Sequence, residues 1–115
     1  MVGELFAVSI DVGDDAAILR LSGDVNRFAA DHLGAGFREA CATGASRIGL
    51  DFTAVDYLNS TGVALIVGIL RDAQHVGLTM LAWGLSEHFR ELFEITRIVD
   101  YMPTFNDQTA ALESG

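Results

Sequence analysis

The sequence predicts an α/β fold built on a mixed β-sheet, with an N-terminal antiparallel hairpin and about four helices. Three observations lead there. β-Prone runs alternate with segments of helical period, and the first two runs are separated by the turn-prone Gly13-Asp14-Asp15. The 115 residues, 50% hydrophobic and 20% charged, suffice for one buried core but hardly for two. One domain is expected, ordered from about residue 5 to residue 112.

The opening strands are Leu5 to Val12 and Ala17 to Leu21. Gly and Asp between them supply turn conformations, so the pair forms a hairpin. After Gly23-Asp24, the stretch from Arg27 to Ala42 places Phe28, Leu33, Phe37 and Ala40 near helical spacing, although Gly34 and Gly36 weaken it. Ser46 to Phe52, carrying Ile48 and Leu50, is the next strand, and a polar loop is expected after it. Ser60 to Val76 is a strongly apolar helix stopped by Gly77. Leu78 to Trp83 is a strand with the turn-prone Gly84 behind it, and Ser86 caps a helix carrying Phe89, Leu92 and Phe93. A short strand or coil from Tyr101 to Phe105 precedes a small helix starting at about Asp107. Strands alternating with helices require crossovers and a largely parallel sheet, to which the hairpin adds an antiparallel edge.

Composition narrows the function. Sixteen Asp and Glu against 7 basic residues give a net charge of -9, and the basic residues are all Arg, spread from Arg20 to Arg97. A phosphate backbone or an anionic lipid surface is repelled by such a chain, so direct nucleic acid binding is not expected. Without Lys there is no Schiff-base amine and no P-loop lysine. The single Cys41 allows no internal disulfide, and the N-terminus shows no basic region ahead of an apolar stretch, which points to the cytoplasm. Val63 to Leu70 is the longest apolar run and is too short to span a bilayer, so no membrane insertion is expected. In that compartment the formal glycosylation acceptor Asn59-Ser60-Thr61 has no role.

Catalytic motifs are weak. His75 lies 15 residues along the helix from Ser60, roughly 22 Å away, and no Gly-x-Ser-x-Gly elbow surrounds that serine. His32, His75, His88 and Cys41 lack the paired spacings of metal ligands. No Gly-x-Gly-x-x-Gly opens a helix after a strand. Neither an enzyme, a metal site nor a cofactor is expected.

The informative stretch is Asp51 to Leu70, where Asn59-Ser60-Thr61 stands just before the apolar helix. Whichever of these is the cap, the Ser60 hydroxyl lies at the helix N-terminus, where unpaired N–H groups and the dipole favour negative charge. At about 100° per residue, Leu65, Ile66, Ile69, Ala73 and Val76 share the core face. Ser60, Ala64, Val67, Gly68 and Arg71 share the opposite one. An outer stripe of a hydroxyl followed by small or apolar residues suggests that a partner covers it; the alternative is a plain cap with the stripe packed by the chain's own loops.

Asn59-Ser60-Thr61-Gly62-Val63-Ala64 resembles the Asp-Ser-(Ser/Thr)-Gly signature of the anti-sigma factor antagonists, bacterial proteins built on the STAS domain. Leu21-Ser22-Gly23-Asp24-Val25-Asn26 is similar to the family's turn after the second strand, and Leu92-Phe93-Glu94-Ile95-Thr96 to its motif late in the third helix. The likeness spans nearly the whole chain in the same order. It implies a STAS-like single domain that acts as a non-catalytic partner-switching module. In that family the unmodified protein binds an anti-sigma factor that is also a serine kinase, freeing the sigma factor for transcription. Phosphorylation of the signature serine, here Ser60 with Thr61 as the alternative acceptor, blocks binding until a phosphoserine phosphatase removes the group.

Docking is then expected at Asp24, Asn26, Asp56, Asn59, Ser60, Thr61, Gly62, Ala64, Val67, Gly68 and Arg71, in a monomer or weak homodimer. Asp24, Asp51 and Asp56, each near a predicted strand end, form an acidic surface beside Ser60 that holds Mg²⁺ or the kinase's basic residues, or else serve only as turn residues. Asn59 stands where the family commonly has Asp, and Asn26 where it has an acidic residue, which removes negative charge near the acceptor. Asn59 slightly favours the alternative function, a STAS scaffold or accessory subunit of a transporter or stress-signalling assembly.

Overall fold

The computed structural model describes residues 5–13 and 15–114. Five strands form one sheet in the order β1 (Ala7–Val12), β2 (Ala16–Val25), β3 (Arg47–Leu58), β4 (Thr79–Trp83) and β5 (Thr104–Phe105). β1 and β2 pair antiparallel and every later pair is parallel, as the hairpin and the crossovers require. Asp14 of the predicted turn lies outside the described residues. The helices are α1 (Ala30–Ala42), α2 (Ser60–His75), α3 (Glu87–Ile95) and α4 (Gln108–Glu113), with 3-10 turns at Arg27–Ala29 and Ile98–Asp100.

Side-chain alternation divides the sheet into two faces. Leu19, Leu21, Ile48, Leu50, Phe52 and Met80 point to the face covered by α1, α2 and α3, where they pack with Leu33, Phe37, Ile66, Ile69 and Phe93. Phe52 and Phe93 meet edge to face, centroids 5.5 Å apart. Cys41 is half-buried against this core, and its burial, with the Asp72 charge second, pushes the thiol up.

On the other face, Ile18, Leu81 and Trp83 are covered by Ala111 and Leu112 of α4. Gly49 makes room for the indole, since a Cβ there would lie 2.5 Å from two of its ring atoms. Arg20 ties α4 down by donating to Gln108 Oε1 at 3.0 Å while pairing with Asp11 and, at 2.9 Å, with Asp51. Arg47 donates to the Leu112 carbonyl at 3.2 Å, holding the other end.

Several expectations change. β3 does not end near Phe52 but continues to Leu58, where a loop was predicted. Two register shifts against β2 place extra β3 residues in this extension, so burial recurs at Phe52, Val55 and Leu58, a spacing of three that strand alternation does not produce. β4 pairs with β3 only as far as Asp51, leaving residues 52–58 paired with β2 alone. The first predicted helix opens as a 3-10 turn, and Phe28, expected among its apolar positions, is 73% exposed. Val76, assigned to the core face, is exposed because it is the C-cap, where the backbone has left helical geometry ahead of Gly77. Val63 and Leu70 are buried beside the expected Ile66, Ile69 and Ala73. Among the described residues no helix is long and apolar enough to cross a membrane.

Candidate functional site

The parallel strands β2 and β3 end side by side, with Val25 opposite Leu58. Asn59 then donates its amide to the Val25 carbonyl at 3.4 Å. Its backbone is extended, and its Oδ1 accepts the Gly62 amide at 2.8 Å, so Asn59 is the N-cap and Ser60 the first helical residue. The choice left open by the sequence is thereby settled. Of the four amides that a helix leaves unpaired at its start, Asn59 and Gly62 are satisfied within the protein, while those of Ser60 and Thr61 have no protein acceptor among the described residues.

Gly62 explains how the helix comes so close to the strand. A Cβ at this position would overlap the Val25 carbonyl oxygen and stand 2.8 Å from its carbon and 2.9 Å from Leu58 Cδ1. Gly62 is buried, so it positions the site instead of presenting itself to a partner as expected. Ser60, Thr61 and Ala64 are exposed, Asn59, Val67 and Gly68 are half-buried, and Arg71 is exposed. The Ser60 side chain makes no hydrogen bond within the described residues. Further along the stripe, Val67, Leu70, Arg71, Gln74 and Tyr101 line an open groove of about 290 Å³.

Strand alternation separates the other candidates. Val25 and Leu58 are buried on the α2 side, so Asp24 and its register partner Tyr57 point to the opposite side of the sheet. Asp56 is exposed on β3, and Asn26 accepts the Phe28 amide at 2.9 Å, capping the 3-10 turn. Asp51 does not join them. It lies seven residues before Leu58 on β3, about 23 Å along an extended strand, and is paired with Arg20. The expected acidic surface of Asp24, Asp51 and Asp56 therefore does not form, and no cluster of three metal-binding side chains occurs among the described residues. Burial pushes the Asp51 carboxyl up, but the Thr53 hydroxyl and amide together with the Arg20 guanidinium outweigh it and hold the group below the usual carboxylate range.

Sequence reasoning placed Phe28 among the apolar positions of the first helix and did not foresee its exposure. Ala29 is fully buried in the main core, and in a 3-10 turn neighbouring side chains diverge, so Phe28 is thrown outward into solvent. The one available signal was Asn26, whose side chain favours a turn start over a helix running unbroken from Arg27.

The comparisons with known proteins agree with this architecture. Residues 7–111 match the STAS domain. A Bordetella bronchiseptica protein provisionally named anti-sigma factor antagonist BtrV is 29% identical over 104 residues, 90% of each chain. The solved structure of the Bacillus cell fate determinant SpoIIAA in its phosphorylated form superposes with a TM-score of 0.69 at 21% identity, covering 90% of this chain and 96% of that one. An anti-sigma factor antagonist from Mycobacterium paratuberculosis superposes with a TM-score of 0.77 at 18% identity, covering 96% and 93%. With a five-stranded mixed sheet and a family match over almost its whole length, the chain belongs to the STAS domain family, alongside homologues named as anti-sigma factor antagonists.

Proposed function

We propose that this chain is an anti-sigma factor antagonist, a non-catalytic cytoplasmic regulator that binds an anti-sigma factor/serine kinase and is released when that kinase phosphorylates Ser60. The observation that carries this is the Ser60 hydroxyl itself, exposed, unbonded among the described residues and first in α2 because Asn59 does the capping. A serine engaged as the cap would have to surrender its helix-stabilising bond on modification; this one does not. A phosphate adds about -1.5 to -2 units of charge at pH 7, which the free amides of Ser60 and Thr61 and the helix dipole tolerate. The same charge and bulk fall at the head of the small and apolar stripe through Ala64 and Val67, where they oppose a docked partner. SpoIIAA, which shares the fold, is known in a phosphorylated form.

Asn59 in place of Asp preserves the cap, because Asn and Asp serve that position about equally, and changes only the charge beside the acceptor. A phosphoserine phosphatase resets the cycle. Incubation with ATP and each anti-sigma serine kinase encoded in the same genome, followed by mass-spectrometric mapping, is expected to place phosphate on Ser60. Modification of Thr61 alone would move the switch by one residue. No phosphate with any such kinase, together with co-purification of transporter subunits, would replace this function by that of a scaffold.

A further inference from the structure

We propose that Phe28, with Arg27 laid across its ring, is the aromatic anchor by which the Ser60 face holds the anti-sigma factor, entering an apolar socket rimmed by carboxylates. This rests on the proposed function and adds to it the contact that supplies affinity. The 3-10 turn is fixed at both ends, by the Asn26 cap on the Phe28 amide and by Ala29 seated in the core, so the exposed ring is held in place. The guanidinium carbon of Arg27 lies 4.7 Å from the ring centroid and steadies it further. An aromatic side chain already ordered in the free protein loses little conformational freedom on docking.

Its position suits the role. The turn follows directly on Val25, whose carbonyl receives the Asn59 amide, and it packs against α2. Charge identifies the chemistry of the occupant. In a chain of net charge -9, the stripe of Ser60, Ala64, Val67, Gly68 and Arg71 carries no carboxylate. Arg71 closes the stripe and Arg27 stands on the turn that packs against α2, and neither has an ion-pair partner among the described residues. Free positive charge around an apolar surface of an acidic protein is complementary to a pocket bordered by Asp or Glu. Tyr57, also exposed, faces the other side of the sheet and lies outside this contact.

The test is calorimetric titration of the recombinant anti-sigma serine kinases of the same genome with wild type, Phe28→Ala, Arg27→Glu and Val12→Ala. Val12 is 61% exposed at the opposite end of the sheet and serves as the control. Phe28→Ala is expected to weaken binding by at least about tenfold, Arg27→Glu by a similar factor, and Val12→Ala to leave it unchanged. All three should melt like the wild type, their side chains being in solvent. Wild-type binding with Phe28→Ala within about twofold overturns the anchor and leaves the proposed function standing. Undiminished binding by Arg27→Glu overturns the acidic rim. If the wild type binds none of these kinases, the function and the anchor fall together.

Discussion

The carbonyl oxygen of Val25 occupies the space that a Cβ on residue 62 would need. That contact joins the end of β2 to the first turn of α2 and sets where Ser60 emerges. Gly62→Ala must push strand and helix apart, at a cost of about 1–3 kcal/mol, with a matching drop in the urea midpoint. An unchanged midpoint would mean that the two elements separate freely and that Ser60 is not held where it is seen.

Asn59 supplies the cap, so its replacement should separate capping from charge. Asn59→Ala is expected to lose about 1 kcal/mol of unfolding free energy, while Asn59→Asp stays within a few tenths. Phosphorylation rates of the wild type and Asn59→Asp by the same kinase then measure the effect of the neighbouring charge alone. Equal stability of the Ala and Asp variants would show that the bond to Gly62 contributes nothing.

Ser60→Ala should bind the anti-sigma factor constitutively and Ser60→Asp poorly, with both variants as stable as the wild type because the side chain is exposed and unbonded. Affinity and melting temperature measured together decide it. Equal affinity of the two would contradict a switch by charge, and a large loss of stability in Ser60→Ala would assign the hydroxyl a structural role.

Asp51 makes stability depend on acidity in a defined direction. Its folded-state pKa is depressed, so its contribution is complete above the unfolded value of about 4 and is lost as pH falls through the lower folded value. Urea midpoints should therefore lose nothing through this group between about pH 7 and pH 5 and fall below about pH 4. Asp51→Asn should be less stable at neutral pH and show a shallower acid decline. Trp83, the single tryptophan and buried under α4, offers a fluorescence readout of whether the Arg20–Gln108 tie is released at the same time.

Local chemistry made most elements legible in advance. Asp107 and Ser86 cap helices where turn-favouring side chains precede apolar periodicity, and Gly77 follows the end of α2 with the positive φ that a helix stop uses. The hairpin needed only Gly and Asp between two β-prone runs. Such features depend on residues a few positions apart, and so does the exposure of Ser60, which follows from helical angles alone.

Contacts between distant segments decided the rest. Thr53 to Leu58 read as a loop because its bulges erase the alternation, yet β2 supplies partners that keep it extended. Phe28 is turned to solvent because Ala29 takes the place in the core, and Asp51 is kept from the Ser60 end by the seven residues of β3 that follow it, where its register partner Arg20 pairs with it. The candidate serine was marked by one short motif, whereas its surroundings depended on which strand end and which carbonyl the folded chain brings beside it. Hydrogen-bond partners and packing neighbours separated by tens of residues carry no local periodicity, so only the assembled sheet and helices could reveal them.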